Sequence, residues 1–288
     1  MMPKLFDTIS VQPTTPHLGA EISGVDLGDL DDRQFNEIRQ AFVDHGVIFF
    51  HGQELTPDQH IEFAKRWGQI NVNRFFHPVD GYPQIAEVRK EPHQKASIGS
   101  SWHTDHSYDQ IPAMGSILYA REVPTHGGDT MFASMYAAYE GLAEDMKTTL
   151  STMNARHTNR IAFGRLDQLD QQAKDDLGNR LNNPHLAVQD AVHPVVIRHP
   201  LSGRPALFVN KGFTVSFDGL ADDESAALLD QLEDHCHQEQ YTYRFSWKVG
   251  SIAIWDNRAT HHMAINDYDG QRRLMHRITI EGDPLTRA

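Results

Sequence analysis

The stretch Trp102-His103-Thr104-Asp105-His106-Ser107-Tyr108 constrains this chain more than any other. Aromatic and β-branched residues flank its polar ones, which suits a strand or strand end more than a helix. Residues two apart on a strand share a face, with Cα atoms about 6.6 Å apart. His103 and Asp105 can therefore converge on one ion, an imidazole nitrogen beside a carboxylate oxygen. Two ligands of one centre lie in this stretch. The rest of the chain must then provide a distant His and groups able to hold an organic acid.

Two His and one carboxylate on one face of a metal leave open positions opposite, as in non-haem Fe(II) oxygenases. Near the C-terminus, Ile252-Ala253-Ile254-Trp255-Asp256-Asn257-Arg258-Ala259-Thr260-His261-His262-Met263-Ala264 reads as a strand, a polar turn and two adjacent histidines. Neighbours on a strand face opposite ways, so only one of His261 and His262 can serve the site. Arg272-Arg273-Leu274-Met275-His276-Arg277 follows, and Arg273 and Arg277 have the same parity. A guanidinium fork grips a carboxylate at two points, which Lys cannot copy. Two inward arginines beside a metal, in a chain of net charge −13, point to an anionic ligand.

That net charge also argues against nucleic acid or an anionic membrane as partner. Cys236 is the single cysteine, so no intrachain disulfide forms and a reducing, cytoplasmic setting is expected. It lies near the end of a helical pattern and reads as packing. The opening MMPKLFDTIS lacks the apolar core of a signal peptide, and no apolar run is long enough to span a bilayer. At 288 residues, with 39% hydrophobic and 23% charged content, the chain suits one large soluble domain.

Ile9–Pro13 and Leu18–Leu27 read as short strands joined by turns. Asp31 or Asp32 caps a helix with its stripe at Phe35, Ile38, Ala41 and Phe42, and Gly46 ends it. Val47–Phe50 reads as a buried strand. Thr56-Pro57 opens a second helix with Ile61, Phe63, Ala64 and Trp67 facing the core. Residues 71–82 form an irregular loop, and Ile85–Val88 a strand. Gly115–Ala120 and Asp129–Ala133 are strands, and Ser134 caps a helix running through Leu142, with a further helix to about Leu150. Residues 165–192 are polar, without a clear strand, and read as an insertion or lid. Val195–Ile197 and Ala206–Val209 form a hairpin. Asp223 caps a helix through Leu232. Tyr241–Trp247, Ser251–Trp255 and Leu274–Glu281 make the C-terminal half rich in strands. The expected architecture is mainly β with flanking helices.

The whole set of motifs resembles the Fe(II)/2-oxoglutarate dioxygenases of the taurine/2,4-dichlorophenoxyacetate dioxygenase family. The resemblance is carried by Leu18–Leu27, Trp102-His103-Thr104-Asp105, Gly127-Gly128-Asp129-Thr130, His193-Pro194-Val195-Val196, Trp255-Asp256-Asn257-Arg258 and the final arginine stretch, in that order. It covers nearly the whole chain. His-x-Asp alone is common; the ordered combination is specific.

The resemblance implies a double-stranded β-helix, or jelly roll, of the clavaminate synthase-like kind, in one domain over residues 1–288. It implies His103, Asp105 and His262 as ligands of Fe(II), so His261 is the neighbour. It implies Thr130 and Arg273 as holders of the distal carboxylate of 2-oxoglutarate, with O2 as the other cosubstrate. Arg277 matches an arginine that meets the substrate's anionic group. Asn73 and Phe76 stand where taurine dioxygenase has a His and a Tyr, Gly99 stands where it has an Asn, and Phe163 matches an aromatic wall beside Ala162. Ser97–Gly99 and Glu91–Trp102 look closer to the aryloxyalkanoate-cleaving members, and Phe75-Phe76 suits an apolar tail.

The implied reaction hydroxylates the carbon next to the heteroatom or anionic group of a small organic anion and releases succinate and CO2. Alkylsulfonates such as taurine, alkyl sulfates and aryloxyalkanoates fit that description. Several relatives form dimers or tetramers, so a homo-oligomer is expected. Two alternatives stand beside this reading: a cupin-like metal-binding or sensory protein without turnover, and a hydrolase using another divalent metal. Asp105 disfavours a halogenase, which vacates the carboxylate position for halide. His106, His126, His157, His193 and His276 read as structural, Trp255 as core, and His261 as either a neighbour of the site or solvent-facing.

Overall fold

Val47–Phe50 is buried at every position, and its side chains divide between two cores. Ile48 and Phe50 face one, Val47 and Phe49 the other, as the two-residue period of a strand requires. Ile252–Asp256, Gly115–Glu122 and Arg273–Ile280 divide in the same way, with Ile254, Ile117 and Ile278 on one side and Trp255, Leu118 and Met275 on the other. A sheet buried on both faces needs something on each, and the sequence provides helices for one face and a second sheet for the other.

The computed structural model describes residues 6–164, 177 and 180–288. Its large sheet has nine strands. Their order is Ser10–Pro13, Ala20–Ser23, Val47–Phe50, Ile252–Asp256, Gly115–Glu122, Arg273–Ile280, Tyr82–Lys90 and Pro78–Val79, with Ile70–Asn71 also paired to Arg273–Ile280. Among the described residues only the Ala20–Ser23 and Val47–Phe50 pair is parallel. Of three three-stranded sheets among the described residues, the small sheet facing the large one across the site runs Thr242–Phe245, Thr130–Ser134, Thr260–Ala264, antiparallel throughout. Together they make the expected double-stranded β-helix, and the site lies between them.

Aromatic rings join the two sheets. Phe49 stacks on Phe245 with ring centroids 4.1 Å apart and meets Phe132 edge-on at 5.6 Å. Burying one Phe contributes about 1.5–3 kcal/mol, and truncating one to Ala in a packed core costs about 3–5 kcal/mol. The outer face of the large sheet carries the helices Asp32–His45 and Pro57–Trp67, whose Phe35 and Phe42 close on Trp67 at 5.4 and 5.0 Å. Both have capping boxes, Asp31 with Gln34 and Thr56 with Gln59, so their first-turn amides are satisfied. Gly46 ends the first at φ 73°, a left-handed conformation open to glycine. Behind the small sheet lie Met135–Glu140, Glu144–Thr152 and Asp222–Cys236.

Several expectations shift. Trp102–Tyr108 is not a strand. His103 makes one bridge, to His262, and the chain then turns, with His106 at φ 62°. The helix after Ser134 ends at Glu140, short of Leu142. Asp223 is not a cap: the helix starts at Asp222 behind Ala221, whose amide donates to Glu224 Oε2 at 2.9 Å. Three acidic residues in that first turn favour the positive end of the helix dipole without a side-chain cap. Of the segment 165–192, residues 165–176, 178 and 179 lie outside the described residues. Its end does contain a strand, Asp190–Pro194, paired with Asn154–Thr158. The polar composition hid it because Val192 is exposed at 51% while Ala191 and His193 face inward.

Candidate active site

Two far-apart segments meet through a backbone bridge. His262 N donates to His103 O at 2.8 Å, and His103 N donates to His262 O at 3.1 Å. His262 comes from the strand Thr260–Ala264, delivered by the turn after Asp256. That turn is locked by buried charge. Asp256 Oδ1 accepts from Arg258 Nε at 2.9 Å, its Oδ2 from Arg258 Nη2 at 2.8 Å, and His199 Nε2 lies 2.9 Å from Oδ2. Asn257 Oδ1 accepts from Trp255 Nε1 at 2.9 Å, and the hydroxyl of Thr104 donates to Asn257 O. Thr104, between two of the expected ligands, thereby ties their segment to the turn that delivers the third.

His103, Asp105 and His262 bring donor atoms within 4.8 Å of one another. His103 Nε2 lies 3.8 Å from Asp105 Oδ1, and His262 Nε2 lies 3.8 Å from Asp105 Oδ2. His103 Nδ1 donates to Ser101 O at 2.7 Å, which leaves the Nε2 lone pair aimed at the centre. Burial holds the His262 ring neutral, with its pKa down at about 3. Burial alone raises the pKa of the Asp105 carboxyl, but Arg277, His262 and His103 outweigh it and keep Asp105 far below the usual carboxylate range. A carboxylate and two neutral imidazoles are the donor set a divalent iron takes, with three faces left open. The residues fit the metal.

A cavity of about 470 Å³ opens over these donors. Thr130, Arg273 and Arg277 line it, as do Asn73, Phe76 and Phe163. The two arginines reach it from one face of Arg273–Ile280, as their equal parity requires. Arg273 is buried, and among the described residues its Nε and Nη2 have no hydrogen-bond partner. Burial lowers its pKa, partly offset by Tyr268 and Asp129. Thr130 Oγ1 accepts from Trp247 Nε1 at 2.9 Å, so its own hydroxyl proton remains to donate. Arg277 Nη1 donates to Asp105 Oδ2 at 3.2 Å, its Nε is unpartnered, and its guanidinium lies 4.7 Å from the Phe76 ring.

The far wall is aromatic. Phe163 stacks on Phe75 at 4.2 Å, and Tyr108 meets Phe213 edge-on at 4.8 Å. Phe75 is buried behind Phe163 and does not reach the cavity, whereas Phe76 does. The Asn73 oxygen accepts from Phe75 N and Phe76 N at 2.8 and 3.0 Å, so it shapes the loop that presents Phe76. Gly99, at φ 78°, would set a Cβ 3.3 Å from the His103 ring.

Among the described residues, His106, His126, His157, His193 and His276 do not join the metal group. His106 instead pairs with Asp109 at 2.8 Å. His261 is buried, not solvent-facing. Trp255 is core, yet its ring also lies 4.7 Å from His262. Sequence reasoning missed Ser101, Thr104, Trp247, Tyr108 and Phe213 as builders of the site. Thr104 had a signal in its place between two candidate ligands. The others touch the site through contacts no local pattern encodes.

Residues 10–279 match the family described as taurine catabolism dioxygenase TauD, TfdA family. The chain is 35% identical over 277 residues to an alpha-ketoglutarate-dependent sulfate ester dioxygenase from Pseudomonas putida, covering 96% of this chain and 90% of that protein. It is 34% identical over 284 residues to an alkylsulfatase from Acinetobacter baylyi, covering 97% and 87%. The fold superposes on a taurine dioxygenase from Burkholderia xenovorans with a TM-score of 0.80 at 32% identity, covering 96% and 92% of the two chains.

Proposed function

This chain belongs to the taurine catabolism dioxygenase TauD, TfdA family, and we propose that within it the chain oxidises alkyl sulfate esters. It is an Fe(II)- and 2-oxoglutarate-dependent dioxygenase. The observation that carries the substrate reading is a pair of buried arginines, Arg273 and Arg277, that line one cavity with an aromatic far wall and keep nitrogens without hydrogen-bond partners among the described residues. A buried cation without a full set of acceptors is costly until an anion completes it. Two such cations call for two anions, the cosubstrate and a substrate that carries an apolar tail.

In this reading His103, Asp105 and His262 hold Fe(II). Bound iron supplies the redox chemistry that couples O2 consumption and decarboxylation of 2-oxoglutarate to hydroxylation of one substrate C–H bond. Arg273, with its fork, and Thr130, through its hydroxyl, grip the distal carboxylate of 2-oxoglutarate. Arg277 meets the sulfate group, while Phe76 and Phe163 hold the alkyl chain and Asn73 fixes the loop bearing Phe76. Orientation is what these side chains contribute: the carbon bearing the ester oxygen is held toward the three donors. Hydroxylation at that carbon leaves an adduct that breaks its C–O bond to sulfate and yields an aldehyde. The products are aldehyde, sulfate, succinate and CO2.

Oxygen uptake, succinate and sulfate release by iron-loaded protein test this, using alkyl sulfates of graded length, taurine, other alkylsulfonates and aryloxyalkanoates. Sulfate and succinate in equal amounts from an alkyl sulfate support the reading. Coupled turnover of only an aryloxyalkanoate or a sulfonate overturns the substrate class while leaving the dioxygenase.

We also read residues 1–288 as one catalytic domain, with the segment 165–192 as an insertion; the family match over residues 10–279 supports the first part. Among the described residues, no helix is long and apolar enough to cross a membrane. We place the chain in the cytoplasm as a homo-oligomer. Buried, unpaired Cys236 supports the first, and exposed Ile111, Val188 and Val192 support the second.

A further inference from the structure

A second group of potential donors, Glu233, His237 and His261, lies behind the site. Its contacts run through opposite nitrogens of one ring. His237 Nδ1 is 3.4 Å from Glu233 Oε2, while His237 Nε2 is 3.0 Å from His261 Nδ1. One ion cannot take both nitrogens of a single imidazole, because their lone pairs diverge. As it stands the arrangement is a polar chain, and its importance lies in what it touches.

His237 caps the C-terminal end of the helix Asp222–Cys236. Leu229, Leu232 and Cys236 anchor that helix in the core behind the small sheet. One turn back, Glu233 holds the ring from the same helix, and Glu233 Oε1 accepts from Lys211 N at 2.7 Å. The His237 ring lies flat on Trp102, with centroids 4.3 Å apart and 3° between planes. Its edge meets His261. Trp102 immediately precedes His103, and His261 immediately precedes His262. A single side chain therefore touches the residue before each histidine donor.

The other ties between the two donor segments run through the backbone: the His103–His262 bridge, Ala264 N donating to Gly99 O at 2.8 Å, and the Thr104 hydroxyl donating to Asn257 O. The stretch around His103 belongs to no strand and meets His262 through one isolated bridge. Alternation along Thr260–Ala264 sends His262 into the cavity and His261 to the opposite side. A contact on that opposite side sets the twist of the strand, and with it the aim of His262. The flat stack on Trp102 does the same for His103.

We propose that His237 is a positioning residue for the metal centre, fixing both histidine donors from behind through Trp102 and His261. The inference rests on His103, Asp105 and His262 being the metal ligands. Groups bonded directly to metal ligands change metal affinity by about 10–100-fold when removed, and His237, which touches the residues next to the two histidines, belongs at the low end of that range.

The test is Mn(II) affinity, measured calorimetrically under anaerobic conditions on the full chain, beside the melting temperature of each variant. We expect His237→Ala to bind Mn(II) about 10-fold more weakly. His237→Phe keeps the stack and loses the polar contact, so its loss is smaller but measurable. A lower melting temperature with wild-type Mn(II) affinity in His237→Ala overturns the proposal, since that is what a merely structural residue gives. Should His237→Ala fail to fold, His237→Phe decides, and unchanged affinity there overturns it. His262→Ala separates the underlying assumption: retained Mn(II) binding in that variant overturns the ligand set itself, whatever His237 does.

Discussion

Arg277 and Asp105 form a buried ion pair, Nη1 to Oδ2 at 3.2 Å, inside the cavity that holds the metal donors. One guanidinium thus neutralises the carboxylate of the proposed metal site, while its Nε stays without a hydrogen-bond partner among the described residues. Removing it is expected to act on substrate far more than on cosubstrate. We expect Arg277→Gln to raise KM for the anionic substrate about 10–100-fold, the loss of one charge-assisted contact of about 1.5–3 kcal/mol. Steady-state kinetics with each substrate varied in turn checks this; a larger change in the 2-oxoglutarate KM would reverse the assignment of the two arginines.

Arg273 is expected to behave in the opposite sense. Among the described residues its Nε and Nη2 have no hydrogen-bond partner, and it lines the same cavity as Thr130. Arg273→Lys keeps the charge but loses the fork, so we expect the 2-oxoglutarate KM to rise about 10-fold or more, with little change for the substrate. Thr130→Val also strands Trp247 Nε1, which donates to that hydroxyl, and should lower stability as well as cosubstrate affinity.

Adjacent histidines separate ligand from support. We expect His262→Ala to lose more than about 100-fold in turnover, beyond the range for outer partners. His261→Ala leaves all three donors in place and should retain coupled succinate release once enough Fe(II) is present. Succinate release at saturating iron distinguishes them, and equal loss in both would mean that the turn after Asp256 delivers the other ring.

Phe163 forms the aromatic wall by stacking on Phe75. Phe163→Ala should raise KM for long-chain alkyl sulfates more than for short ones, by about 10-fold for the longest, as a lost aromatic contact of 1–2 kcal/mol implies. A uniform change across chain lengths would remove Phe163 from the tail site.

Acid stability depends on a histidine remote from the metal. His60, on the helix Pro57–Trp67, is fully buried against the large sheet with its ring 5.8 Å from that of Tyr119, and among the described residues neither ring nitrogen has a hydrogen-bond partner. Burial drives its pKa down to about 3 from an ordinary 6.5, with His276 and Arg121 adding to the effect. The unfolded chain takes up a proton below 6.5 and the folded chain does not, so stability falls as pH drops from 6.5 toward 3. The slope is about 1.4 kcal/mol per pH unit for each such group. His157, also held at about 3 by burial, contributes in the same direction. Urea unfolding at pH 7 and 5.5 should show a difference about 1.4 kcal/mol smaller in His60→Leu than in wild type. Equal differences would place the acid sensitivity elsewhere.

Much of this protein was legible from local pattern. A continuous apolar run marked Val47–Phe50, and runs rich in β-branched and aromatic residues marked the C-terminal strands, because a strand buried on both faces needs apolar side chains along its whole length. Caps announced both early helices, since Asp31 and Thr56 satisfy amides within their own turn. Residue type and order singled out His103, Asp105, His262, Arg273 and Arg277, because metal and carboxylate chemistry accepts few side chains. The choice of His262 over His261 came only through family resemblance.

Local pattern misread what depends on distant neighbours. The stretch around His103 looked like a strand, but it finds only one bridging partner and turns. Asp190–Pro194 looked like loop, and became a strand because Asn154–Thr158 lies beside it. By itself the sequence determined the chemistry on offer: which side chains can ligate, grip an anion or pack, and with what period they repeat. The tertiary structure alone decided their relations: Arg277 against Asp105, His237 bridging Trp102 and His261, Trp247 donating to Thr130. The physical reason is that these contacts join residues far apart in the chain, and no local periodicity encodes which distant atoms the closing of two sheets will bring within hydrogen-bonding reach.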